Sequence, residues 1–263
     1  GWILSMIDRT ASYVLGDFSK AMHVAKMNSH ALAWHPDVLV QRSVTYFEEM
    51  IKNESKIHEM VLNCLPDEMQ KNFKTTVQKF IELRNEELQI KNDFERKNLK
   101  FTVKMESPKT KKTSEFANTL HSMYLELPKP LRFNETNFID SLNDSKTILT
   151  TLRLNDENGD VIGFAKGGPL ENYILRSEVN DENFGKKNTV FLEPIALKMG
   201  YWGLGAGHEL RQSFLMQSHT MNFSFLTSFA FRDVIEKRTQ SMEKAKFVFK
   251  FDPERWDYYR IEL

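Results

Sequence analysis

The chain has 263 residues, 41% hydrophobic and 27% charged, enough for one large soluble domain or two small ones. Its 36 basic residues balance 36 acidic ones, so no overall field draws in nucleic acid or an anionic membrane, and neither is expected as a partner. The single cysteine, Cys64, excludes an internal disulfide and suits a reducing compartment.

No apolar run reaches the roughly 20 residues of a membrane span, and the opening GWILSMIDRT lacks the basic start of a signal peptide. A cytoplasmic protein is expected. The chain opens on Gly1 rather than Met, as a processed protein or a piece of a longer one does.

Residues 1–35 carry two apolar clusters and read as ragged helix. His23, His30 and His35 lack the HxxxH or HxH pairing that sets two imidazoles on one metal, so no metal site is expected. Residues 37–65 read as a helix, with Val40, Val44, Phe47 and Ile51 at helical spacing. Pro66 ends it. Cys64, between leucines at that end, reads as a buried, inert thiol. A second helix spans about 67–98, with Met69, Phe73, Val77, Phe80, Ile81 and Leu88 on its buried stripe. The two suggest a helical hairpin.

At residue 99 the character changes. Residues 100–105 alternate with period two and read as a strand. A polar loop follows, then a helix over 114–127 closed by Pro128 and Pro130, and a short helix within 134–142. Residues 147–154 and 160–165 read as two strands joined at Asn158-Gly159, where both positions tolerate positive φ. Residues 167–187 form a loop with several acids. Glu171, Glu178, Asp181 and Glu182 suit either a cationic acceptor or plain solvation.

The stretch 189–213, TVFLEPIALKMGYWGLGAGHELRQS, organises the second half. An apolar strand over 190–197 enters a glycine-spaced turn and then a helix from about His208. Glycines let the backbone approach an anion, and the unpaired N–H groups of a first helical turn point at it. Residues 221–231 alternate as a strand with one heavily buried face. A charged helix over 232–242 and two strands, 246–251 and 256–263, complete the chain.

From residue 99 the order is strand, helix, helix, three strands, glycine turn, helix, strand, helix, two strands. The hairpin makes the middle strands antiparallel, and the helical crossover makes the strands around the glycine turn parallel. The expected fold is α+β, a mixed, mostly antiparallel sheet flanked by helices over residues 99–263. A helical region over residues 1–98 precedes it.

The Rossmann fingerprint fails because His208 stands where its third glycine belongs. No Lys-Ser/Thr follows, which excludes a P-loop. A plain tight turn remains the simple alternative. The order of elements and the run Tyr201-Trp202-Gly203-Leu204-Gly205-Ala206-Gly207-His208-Glu209-Leu210 resemble the GNAT-type N-acetyltransferase superfamily, whose pyrophosphate loop commonly reads Y-R-G-K-G-I-G-x-x-L. Tyr201, Gly203, Gly205, Gly207 and Leu210 match in place. Trp202 replaces the common basic residue and removes a positive charge. Lys198, His208 and Arg211 are the candidates to supply one.

The resemblance implies acetyl-CoA as co-substrate and direct transfer of acetyl to an amine, on a small molecule or a protein. It implies a strand that splays from its neighbour over 195–199, with main-chain groups near Leu197 polarising the thioester carbonyl. Leu197, Lys198, Met199, Trp202, Gly203, Leu204, Gly205, Ala206, Gly207 and His208 are the expected cofactor-binding residues. Glu193, four residues before Leu197 and on its face by alternation, is a candidate base, or else pairs with a basic side chain. Pro194 suggests an irregular or edge strand there. The family's usual tyrosine acid has no counterpart at 231–236. Tyr258 and Tyr259 read as packing residues, and Ser228 as a possible water holder. The alternative function is a non-catalytic CoA-binding or interaction module, with residues 37–98 as its helical contact surface.

Overall fold

The computed structural model describes residues 2–31, 38–53, 55–108, 110–127, 131–133, 135–240, 244–253 and 255–263, with backbone alone at residues 2, 3, 5, 6, 9 and 29–31. The His30 side chain, His35, Pro128 and Pro130 therefore lie outside the described residues. The chain divides into two compact units, Gly1–Arg96 and Lys97–Leu263.

The first unit is helical: α1 (Trp2–Val14), α2 (Phe18–Ala31), α3 (Leu39–Asn53), α4 (Ser55–Asn63) and α5 (Asp67–Glu95). α3 and α4 cover the helix expected over 37–65, on either side of Glu54. The long α5 packs against α1, α2 and α3. Its stripe brings Phe73 and Phe80 onto Phe47 of α3, with ring centroids 6.0 and 5.7 Å apart. Ile51 and Leu88, expected inside, are exposed; Met50, Leu83 and Ile90 take the buried places instead. The apolar stripe is thus narrower than the sequence spacing suggests. Cys64 is exposed rather than buried, because α4 ends at Asn63 and the thiol sits in the turn before Pro66.

The second unit holds β1 (Phe101–Met105), α6 (Ser114–Leu125), α7 (Phe138–Ser141), β2 (Ile148–Leu154), β3 (Val161–Pro169), β4 (Thr189–Leu192), β5 (Ala196–Leu197), α8 (Ala206–Thr220), β6 (Phe225–Phe231), α9 (Arg232–Gln240), β7 (Lys246–Phe249) and β8 (Trp256–Glu262). The sheet order is β1-β2-β3-β4-β6-β8-β7, with β5 paired to β3. All neighbours are antiparallel except β4 and β6. This is the expected mixed α+β sheet.

Three local expectations give way. The β2–β3 hairpin forms, but Asn155 takes the positive φ (65°), not Asn158 or Gly159. Gly159 is needed for space: a Cβ there would stand 1.7 Å from the Leu154 carbonyl oxygen. The strand expected over 190–197 is interrupted into β4 and β5. β6 buries Leu226–Ala230 on both faces rather than one, because it is central in the sheet. Among the described residues no helix is long and apolar enough to cross a membrane.

Candidate active site

The site is built where β4 leaves β6. The Asn188 carbonyl accepts the Phe225 N–H (3.2 Å), and the Glu193 N–H donates to the Lys166 carbonyl (2.9 Å). Successive residues of a strand turn their main-chain groups to alternate neighbours. Residues 188, 190 and 192 therefore face β6, while 189, 191 and 193 face β3. The next residue due to donate to β6 is Pro194, which has no N–H. The parallel ladder ends one step earlier, at Leu192 opposite Ser228. There the Ser228 hydroxyl donates to the Leu192 carbonyl (2.8 Å), so it fastens the fork.

Past the fork the strand stays with β3 but changes register. Gly167 lies opposite Leu192, and Phe164 opposite Ala196. Three steps on β3 match four on its partner, so residues 193–195 hold one extra residue, a β-bulge. The Lys198 N–H then donates to the Ile162 carbonyl (2.8 Å). Hydrogen-bonded and open pairs alternate in an antiparallel ladder, so the Gly163–Leu197 pair is the open kind. The Leu197 N–H and C=O point away from β3, toward the side that β6 has vacated.

The bulge also separates the faces. Glu193 sits beside Lys166, whose ammonium lies over the Phe138 ring on the α6–α7 side, 5.1 Å from its centroid. Leu197 lies over Gly163 on the α8 side: a Cβ on Gly163 would meet Leu197 Cδ2 at 2.5 Å and Leu210 Cδ1 at 3.4 Å. Simple alternation, which puts Glu193 and Leu197 on one face, fails by that one extra residue.

The glycine turn follows. Gly200, Gly203 and Gly205 have φ of 96°, 81° and 81°, values costly for any residue with a side chain. Gly205 is the N-cap of α8 and provides no side-chain acceptor. The His208 and Glu209 N–H groups both reach its carbonyl (2.9 and 3.3 Å). Those of Ala206 and Gly207 precede them in the first turn, where a helix offers no internal partner. A Cβ on Gly205 would meet no atom within 4 Å, so the space over the turn is open. This fits a phosphate group. Lys198 and His208 are exposed near the turn in sequence, whereas Arg211 is buried. Trp202 is half-buried, and its indole N–H donates to the Leu197 carbonyl (3.0 Å). Where a charge was expected, the chain has a tie between turn and strand.

Of the two roles open for Glu193, the geometry matches the ion pair. The residue is 1% exposed. Oε1 accepts from the Lys166 ammonium and from the Tyr173 hydroxyl (2.8 Å). Lys166 also donates to Ser141 Oγ (3.2 Å). Burial, and then the Glu193 charge, push the Tyr173 hydroxyl well above its ordinary value, so it remains a proton donor. Glu193 Oε2 has no partner among the described residues.

Sequence reasoning missed Lys166 and Ser141 and gave Tyr173 no role. One signal was available: Lys166 is a lone charge in the apolar run VIGFAKGGP. Tyr258 and Tyr259 are buried, and Ser228 is committed to Leu192 rather than open to water. The loop acids are also committed. Glu171 Oε1 accepts the Gly185 and Lys187 N–H groups (3.2 and 2.8 Å). Glu178 accepts from the Ser177 hydroxyl, Glu182 pairs with Arg260, and Asp181 is buried. Glu171 and Asp181 tie the loop down, whereas Glu178 and Glu182 are exposed, as the solvated-loop reading expects.

No family model matches the chain, and no curated protein does. Among solved structures, the chain is similar to a GNAT family N-acetyltransferase from Escherichia coli in complex with CoA, at 12% identity over 62% of this chain and 82% of that one, with a TM-score of 0.43. An acyl-CoA N-acyltransferase from Pseudomonas aeruginosa matches at 14% identity over 62% and 98%, with a TM-score of 0.42. A ribosomal-protein-alanine N-acetyltransferase from Brucella melitensis matches at 16% over 62% and 98%, with a TM-score of 0.40. In its own sheet order, the second unit is a mixed, mostly antiparallel α+β sheet flanked by helices, with the glycine turn between its two parallel strands.

Proposed function

We propose that the second unit binds an acyl-CoA, acetyl-CoA in the first instance, and transfers its acyl group to an amine by direct attack. The observation that carries this reading is the Leu197 amide, turned by the bulge into the gap between β5 and β6. A bound acyl-CoA supplies the thioester. Leu197 N–H is the donor for its carbonyl, an oxyanion-type role. Lys198 and Met199 continue the strand edge. Trp202, Gly203, Leu204, Gly205, Ala206, Gly207 and His208 form the anion cradle, with first-turn N–H groups doing the work that a basic residue shares elsewhere. The acceptor is a small-molecule or protein amine.

Isothermal titration with acetyl-CoA tests the reading. Binding in the micromolar range is expected, and no heat at millimolar ligand overturns it.

A second reading has its own support. Glu193 is shielded and ion-paired, and Tyr258 and Tyr259 are buried, so among the described residues no acid or base is in evidence at the fork. A CoA-binding module without turnover has the same cradle and the same amide. A panel of amines separates the two: CoA release with any of them supports transfer, and binding without release favours the module.

A further inference from the structure

We propose that Trp202 is a positioning residue that fixes the span between the Leu197 amide and the glycine turn, and so fits the site to a donor that carries its thioester and its phosphate on one arm; this rests on the acyl-CoA reading. The two ends of the site stand on different elements. The N–H for the thioester carbonyl is on β5, and the N–H groups for the phosphate are in the first turn of α8. An arm that engages both ends binds well only if they are set at the right separation before it arrives. An end that must be ordered on binding costs affinity.

Each end keeps its own shape through local bonds. At the strand, the Lys198 N–H donates to the Ile162 carbonyl (2.8 Å) and holds the peptide after Leu197 against β3. Beyond it the Tyr201 N–H closes a tight turn onto the Lys198 carbonyl (3.2 Å). At the head of α8 the His208 and Glu209 N–H groups converge on the Gly205 carbonyl. The joint between the ends runs through Gly200 and Gly203, with φ of 96° and 81°. Glycine gives a backbone more freedom than any other residue, so such a joint is pliant unless something braces it.

The indole braces it. Trp202 Nε1 donates to the Leu197 carbonyl, five positions back (3.0 Å). The peptide between Leu197 and Lys198 is thereby bonded at its C=O by the turn and at its N–H by β3, so its plane is set from two sides. A second contact runs the same way but is apolar: a Cβ on Gly207 would stand 3.8 Å from Leu197 Cδ1. Apolar contact has no preferred direction, whereas a hydrogen bond weakens steeply when it is bent. The directional tie is therefore the indole. Where a basic side chain would add attraction for the phosphate, Trp202 adds order between the two ends.

The test titrates the full chain and Trp202→Phe with three probes. Acetyl-CoA spans the site, S-acetylpantetheine reaches the strand end alone, and 3′-phospho-ADP reaches the turn alone. Trp202→Phe should weaken acetyl-CoA about threefold to tenfold and leave each half-ligand within about twofold of its wild-type affinity. Half-ligands that weaken as much as acetyl-CoA overturn the proposal, because the indole then serves one end and not the span. Unchanged or tighter binding of acetyl-CoA also overturns it. A ligand-free measurement on the wild-type chain decides if the variant does not fold. The Trp202 indole proton should exchange with solvent about tenfold or more slowly than that of an open indole, and exchange at the open rate overturns the tie. Wild-type protein that binds none of the three probes removes the acyl-CoA reading and the proposal together. Wild-type binding with the wrong pattern in the variant removes the proposal alone.

Discussion

Two buried clusters in the second unit use the same three kinds of group and do different things. Asp181 holds Arg260 and the Tyr258 hydroxyl; Glu193 holds Lys166 and the Tyr173 hydroxyl. At Asp181 both oxygens are occupied. Oδ1 takes Arg260 and the Asn183 N–H (2.8 Å), and Oδ2 takes Tyr258 (2.7 Å). At Glu193 both donors crowd one oxygen and the other is empty. The Asp181 cluster fastens the irregular run between β3 and β4 to strand β8, and there it is Arg260 Nε, not a carboxylate oxygen, that has no partner among the described residues. The Glu193 cluster lies on the last pair of the β3–β4 register, just before the bulge. The clusters differ in how the donors fall on the carboxylate: over both oxygens at Asp181, and on one alone at Glu193.

The comparison breaks most readily at Asp181. Asp181→Ala leaves the Tyr258 hydroxyl without its acceptor and Arg260 with only the exposed Glu182, and should cost about 3–5 kcal/mol in urea unfolding. A cost below about 1 kcal/mol would mean the cluster is no strut. The two tyrosines give a sharper contrast. Tyr173→Phe takes Glu193 from two donors to one and should cost about 1.5–3 kcal/mol. Tyr258→Phe takes Asp181 from three donors to two and should cost less, about 1 kcal/mol. The reverse order, measured under the same conditions, would remove the distinction between the clusters.

Trp202→Phe probes the tie between turn and strand. It keeps the ring and deletes one donor to the Leu197 carbonyl, a loss of about 0.5–1.5 kcal/mol. Acetyl-CoA affinity should fall by up to about tenfold, with little change in melting temperature. Tighter binding would instead mean that the indole competes with the ligand for that carbonyl.

The smallest effect comes from a buried imidazole. His58, in the first unit, is buried against Phe73, with ring centroids 5.0 Å apart, and its Nε2 has no partner among the described residues. Desolvation lowers its pKa below the ordinary 6.5. The unfolded chain therefore binds the proton first. Stability is full above about pH 6.5 and is lost as pH falls from there toward the folded value. Melting curves at pH 7.5 and 5.5 should show a drop that shrinks in His58→Gln. An unchanged drop would assign it to other groups.

Much of the second unit was legible in the residues. A period-two run marked β1, the Asn158-Gly159 signal marked the hairpin of β2 and β3, and helical spacing of Phe116, Leu120 and Tyr124 marked α6, because each signal is local in the chain. The order of those elements, with a glycine turn at its centre, was enough to predict a mixed sheet with one parallel pair. Turn chemistry was less reliable. Asn158-Gly159 is the expected hairpin signal, yet Asn155 takes the left-handed conformation while Gly159 makes room for the Leu154 carbonyl. Cys64 went wrong for a similar reason, since its exposure depends on where α4 stops.

The sequence by itself determined that a strand, a glycine-spaced turn and a helix follow one another, because glycine spacing and periodicity are local properties. It also determined that Pro194 has no N–H to give. Only the tertiary structure decided what those facts do. Glu193 meets a lysine 27 positions away, and Ser228 reaches back 36 to close the fork. The direction of the Leu197 amide depends on a single extra residue counted against β3. Register is a relation between two strands, and no property of either one alone contains it.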